Sequence, residues 1–170
     1  MAAKGWFEDS GVSKNGEWVQ GYPSNWCWVG PRGGYWQNRD FCAVHWEVHP
    51  PQGAEAVRLH VESPRYEDDP ELNGIKQELI SALLSAELET AVHESGFGYE
   101  LGRRLSDLSI QRYKCSEVFR VVVQDARSQG SHAANIRMVH NAVGGIVEGV
   151  LERFRNRVGD RLPQVTTLNR

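Results

Sequence analysis

The sequence predicts an α+β protein, an antiparallel sheet of about five strands with two helices packed on one face, in the order β-β-β-α-β-β-α. Three observations carry that expectation. Two runs, Phe41–His49 and Ala56–Glu62, alternate apolar and polar residues with the period of two that marks a half-buried strand. Two further runs, around residues 72–93 and from 130 onward, space their apolar residues three and four apart, as one face of a helix requires. Two amphipathic helices need one sheet face to cover, and two packed layers satisfy both.

Element by element, residues 1–16 are polar and glycine-containing and read as an irregular N-terminal segment. Glu17–Tyr22 and Asn25–Val29 read as short strands, parted by Pro23-Ser24 and closed by the turn cluster Gly30-Pro31-Arg32-Gly33-Gly34. In the next strand Cys42, Val44, Trp46 and Val48 alternate with Ala43, His45, Glu47 and His49. Pro50-Pro51-Gln52-Gly53 breaks it, and the partner strand places Val57, Leu59 and Val61 on one face with Arg58, His60 and Glu62 on the other. The pair forms an antiparallel hairpin. Ser63–Pro70 is a charged connector. Leu72–His93 reads as one helix on the stripe Ile75, Leu79, Leu83, Leu84 and Leu88, stopped at Ser95-Gly96. Ser106–Tyr113 and Glu117–Asp125 follow as strands. Gly130-Ser131 opens a long helix whose inner face carries Ile136, Val139, Val143, Ile146, Val147, Val150 and Phe154. Gly144, Gly145 and Gly149 cost helix propensity there and suit close packing on a sheet. The domain then spans 17–158, and 159–170 is a loose tail.

With 170 residues the chain fits one domain able to bury about two-thirds of its unfolded surface. No apolar run approaches the ~20 residues of a membrane span, and the first residues lack a secretory apolar core. The expectation is a soluble, cytoplasmic protein with no membrane partner. Cys27, Cys42 and Cys115 show no Cys-x-x-Cys spacing, which argues against a disulfide framework or zinc knuckle. Net charge is −3 but uneven: residues 1–102 sum to −9 and residues 103–170 to +6. Such a split marks either an anion-binding half or two mutually attracting parts of one domain.

Two constellations could carry function. The first is aromatic: all six tryptophans lie between Trp6 and Trp46. Trp26, Trp28, Tyr35 and Trp36, flanked by Arg32 and Arg39, form a candidate binding surface, since tryptophan and arginine are the commonest interface anchors. The same tryptophans could equally belong to the core, while Trp46, alternating with Val44 and Val48, belongs there by pattern. The second is the polar face of the hairpin. Residue numbers of cross-strand partners should sum to about 105 or 107, placing His45 opposite His60 or Glu62. His45, Glu47, His60 and Glu62 are thus candidate catalytic residues, with His45 and His60 as candidate metal ligands. The ordinary alternative is a solvated sheet face dressed in charged pairs. No firm catalytic set, metal site or cofactor follows. His93, His132 and His140 stand isolated, and Gly96-Phe-Gly-Tyr-Glu-Leu-Gly102 lacks the context of a phosphate loop.

The run His60-Val-Glu-Ser, Leu72-Asn-Gly-Ile-Lys-Gln-Glu-Leu, Phe97-Gly-Tyr-Glu-Leu, Arg104-Leu and Ile110-Gln-Arg resembles the small accessory domain that follows restriction-like nuclease cores. The likeness covers about a third of the chain and includes no catalytic motif, and the tryptophan-rich start departs from it. It implies a non-catalytic interaction module. The functional expectation is accordingly a macromolecule-binding module, an inhibitor or adaptor docking on a larger protein assembly. The alternatives are a His/Glu-dependent, metal-assisted hydrolase or phosphodiesterase, and a nucleic-acid binder using the basic C-terminal half, with Arg103, Arg104, Arg153, Arg155, Arg157 and Arg161.

Overall fold

The computed structural model describes residues 6–13, 16–23, 43–48, 55–62, 70–102, 115–124, 127 and 130–158. Along the chain run β1 (Trp6–Ser13), β2 (Gly16–Pro23), β3 (Ala43–Val48) and β4 (Ala56–Glu62). Helices α1 (Pro70–Leu83) and α2 (Ala86–Glu94), strands β5 (Gly98–Leu101) and β6 (Cys115–Val122), and helix α3 (His132–Val158) follow. The strands make one sheet in the order β1-β2-β3-β4-β6-β5, and every pairing is antiparallel. The α+β class and the antiparallel sheet thus hold, with six strands and three helices among the described residues. No helix among them is long and apolar enough to cross a membrane.

The apolar face that the alternation marks forms the core. Val44, Trp46 and Val48 on β3, Val57, Leu59 and Val61 on β4, and Phe119 and Val121 on β6 are all buried. Against them lie Ile75, Leu79 and Leu83 of α1, Leu88 and Val92 of α2, and Ile136, Val139, Val143, Val147, Leu151 and Phe154 of α3. The Trp46 indole meets the Phe119 ring edge-on at 6.2 Å, and Tyr99 of β5 stacks on Phe119 at 5.3 Å.

Three expectations are corrected. Residues 6–13, read as irregular, form β1, because pairing with β2 satisfies their backbone groups regardless of side-chain pattern. The helix read over 72–93 is two helices. Ser85 accepts a hydrogen bond from the Leu88 amide at 3.3 Å and restarts the helix as an N-cap, with Glu87 and Glu89 in the first turn. The stop expected at Ser95-Gly96 occurs, and the chain then enters a strand for which the sequence offers no expectation. Gly96, at φ 78°, ends α2 in a Schellman motif: its amide reaches the His93 carbonyl and the Phe97 amide reaches that of Val92. Gly98–Leu101 then forms β5. The strand read over 117–125 runs from Cys115 to Val122. The strands read over 25–29 and 106–113 lie outside the described residues.

Candidate functional site

The face of β3 and β4 turned away from α3 carries His45, Glu47, Arg58 and His60. Their alternation with the core residues puts them there, and the register brings them together: His45 lies opposite His60 and Glu47 opposite Arg58. Cross-strand partners therefore sum to 105. The other register, with His45 opposite Glu62, does not occur; Glu62 faces Ala43. His45 Nε2 lies 3.1 Å from Glu47 Oε2, and His60 Nδ1 lies 3.3 Å from the same oxygen. The two imidazoles meet edge-on with centroids 5.4 Å apart.

A solvated sheet face is not what the structure shows at this point. His45 is 0%, Glu47 7% and His60 8% exposed. A buried carboxylate is costly without partners, and here one oxygen sits within hydrogen-bond reach of two imidazoles.

A polar row that passes through Glu47 crosses the sheet. Gln20, Glu47, Arg58, Arg120 and Glu100 occupy directly paired positions on five consecutive strands. Glu117 joins it through a β-bulge. Leu59 pairs with Phe119 but His60 pairs with Glu117, which leaves Val118 as the extra residue. In a regular strand residues 117 and 120 would point to opposite faces. The bulge brings them to one face, where Arg120 Nε donates to Glu117 Oε1 at 2.7 Å and Arg58 Nε lies 3.5 Å from Glu117 Oε2. Sequence reasoning missed Glu117 and Arg120 because strict alternation cannot reveal a bulge, and Glu100 because Gly98–Leu101 does not read as a strand in the sequence.

The histidines read as isolated are engaged. Trp46 Nε1 donates to His140 Nδ1 at 3.2 Å, joining the sheet to α3 across the core. Burial holds the His140 imidazole below the ordinary histidine range. His132 Nδ1 lies 2.8 Å from Glu55 Oε1, while Asn135 Nδ2 donates to Glu55 Oε2 at 2.7 Å. A carboxylate in front of β4 thus anchors the N-terminal turn of α3, where helix polarity favours negative charge. His93 lies 3.9 Å from Glu89, one helical turn away.

The aromatic candidates Trp26, Trp28, Arg32, Tyr35, Trp36 and Arg39 lie outside the described residues, as do Arg103, Arg104 and Arg161. Of the basic residues on α3, Arg153 pairs with Glu87 at 3.1 Å and Arg157 lies over the Phe154 ring at 5.2 Å. No protein-family model matches the chain, and no curated protein or solved structure matches it.

Proposed function

We propose that this chain is a non-catalytic protein-binding module, an adaptor or inhibitor, and that it docks through the β5 edge of its sheet. One observation carries the reading. Among the described residues β5 is the last strand of the sheet order, and Leu101 at its end is 63% exposed, the one large apolar side chain that stands exposed among them. A terminal strand offers a row of backbone donors and acceptors, and an extended segment of a partner can add to it, with an apolar side chain as anchor. The strand is held firmly enough to serve as a template. Its inner edge pairs with β6, and the Gly102 amide donates to the Val118 carbonyl at 2.9 Å. Gly102 approaches the Glu117 carbonyl so closely that a Cβ there would collide with it. The likeness to a nuclease accessory domain points the same way, to interaction without catalysis.

The hydrolase reading has His45, Glu47 and His60 in one place, but enclosed; a substrate would need a route to residues at most 8% exposed. The nucleic-acid reading loses support where Arg153 and Arg157 are engaged within the chain.

The test compares capture by the full chain and by Leu101→Lys from the same cell lysate, with both melting temperatures recorded. A partner retained by the parent and at least about tenfold depleted from the variant, at an unchanged melt, supports docking at the edge. Equal recovery on both would overturn it. Trp28→Ala and Trp36→Ala, run alongside, separate the edge from the aromatic surface the sequence suggests.

A further inference from the structure

We infer that His45, Glu47 and His60 form a binding site for a single divalent transition-metal ion of the zinc class. Two imidazole nitrogens and one carboxylate oxygen make a donor set common to zinc sites, with a fourth position left for water or another group. One ligand atom from each of the three residues lies within 4.8 Å of the other two, and the distances to Glu47 Oε2 are 3.1 and 3.3 Å. Ligands held at about 2.0–2.2 Å around a tetrahedral ion lie roughly 3.3–3.6 Å from one another, so the carboxylate oxygen stands at ligand spacing from His60 and within about 0.2 Å of it from His45.

The backbone fixes this convergence. His45 and His60 are a directly opposed pair, and Glu47 is the next residue on the same face of β3, so all three project from adjacent paired strands of one sheet. Their burial removes most of the competing water. Arg58, opposite Glu47, has the Glu117 carboxylate at 3.5 Å, so its positive charge is offset beside an incoming cation. The site owes nothing to the β5 edge, and the two proposals stand or fall separately.

The experiment uses the full chain, stripped with chelator and equilibrated with zinc, cobalt, nickel or manganese. Metal content is read by elemental analysis after gel filtration. One zinc per chain is expected, along with a rise in melting temperature, because an ion that binds only the folded state stabilises it. Cobalt should give the visible absorption of a low-coordinate site with nitrogen ligands. Glu47→Gln and His60→Ala should each weaken zinc binding at least about tenfold, since even outer-shell changes at metal sites often cost that much. His132→Ala, which removes the other close histidine–carboxylate pair, should leave binding unchanged. The inference is overturned if no metal reaches stoichiometry, or if the Glu47 and His60 variants bind as the parent does. It is equally overturned if binding follows His132. Should those variants fail to fold, the cobalt spectrum of the parent decides, and a spectrum like that of the hydrated ion overturns the site. In that event the three residues form only a hydrogen-bonded bridge between strands.

Discussion

His140 must keep a lone pair on Nδ1 to accept the Trp46 indole proton, so protonating that nitrogen breaks the contact. Burial depresses its folded pKa, while an unfolded histidine titrates near about 6.5. The unfolded chain therefore binds the proton more readily. The contribution to stability is complete above about pH 6.5 and is lost as pH falls through the lower folded value. Melting temperature should accordingly drop on acidification below about 6.5. In His140→Gln, which keeps an acceptor but cannot titrate, the drop should be shallower; parallel curves would show that His140 contributes nothing to it. The difference between the two proteins removes whatever the other histidines add. None of this was legible beforehand, since residues 46 and 140 meet only once α3 lies on the sheet.

At the scale of the element, α3 separates two adjacent glycines. A Cβ at Gly144 would collide with the His140 ring one turn earlier, whereas at Gly145 it would meet nothing within 4 Å. The ring has little freedom to retreat while it holds the Trp46 indole. Gly145→Ala should therefore gain about 0.5–1 kcal/mol from propensity, and Gly144→Ala should lose about 1–3 kcal/mol through overpacking. Denaturant melts check the pair, and equal effects would contradict this packing. The sequence reads the period of α3 well, including Ile136, Val139, Val143, Val147, Val150 and Phe154, because an apolar stripe is a local signal. It places Ile146 inside, where the residue is only partly buried, and overlooks buried Leu151. The break at Ser85 is harder to see, because the apolar spacing runs across it. The signal present there is a capping serine followed by Glu87 and Glu89. At the end of α2 the positive φ of Gly96 is reinforced from afar: Arg127 donates to the Ser95 carbonyl and lies over the Phe97 ring at 4.3 Å.

For the whole molecule, the two layers meet along residues the pattern identifies in advance. Leu79, Leu83, Val143 and Val147 are buried with Val44, Trp46, Leu59 and Val61. Leu83→Ala should cost about 2–5 kcal/mol, through lost burial and the cavity left behind; a loss below about 0.5 kcal/mol in equilibrium melts would contradict that core. The hairpin register was among the two the sequence left open, so His45, Glu47 and His60 could be named before they could be placed. Their enclosure could not be foreseen, because alternation tells which face a residue shares and not what covers that face. The sheet order is likewise a long-range property: β6 enters between β4 and β5, and no local signal announces it.

That insertion has a consequence for the growing chain. β3 and β4 are close in sequence and can pair as soon as both exist, but β4 cannot gain its second neighbour until residues 115–122 have been made. Closing so long a loop is slow beside forming a hairpin. Until then Ala56–Glu62 is an open strand edge, the kind of surface on which nascent chains pair wrongly with one another. Arg58 and His60 interrupt its apolar run, and charged or polar side chains on an open edge discourage such pairing. The residues that later hold the polar face of the finished sheet thus also guard the unfinished one.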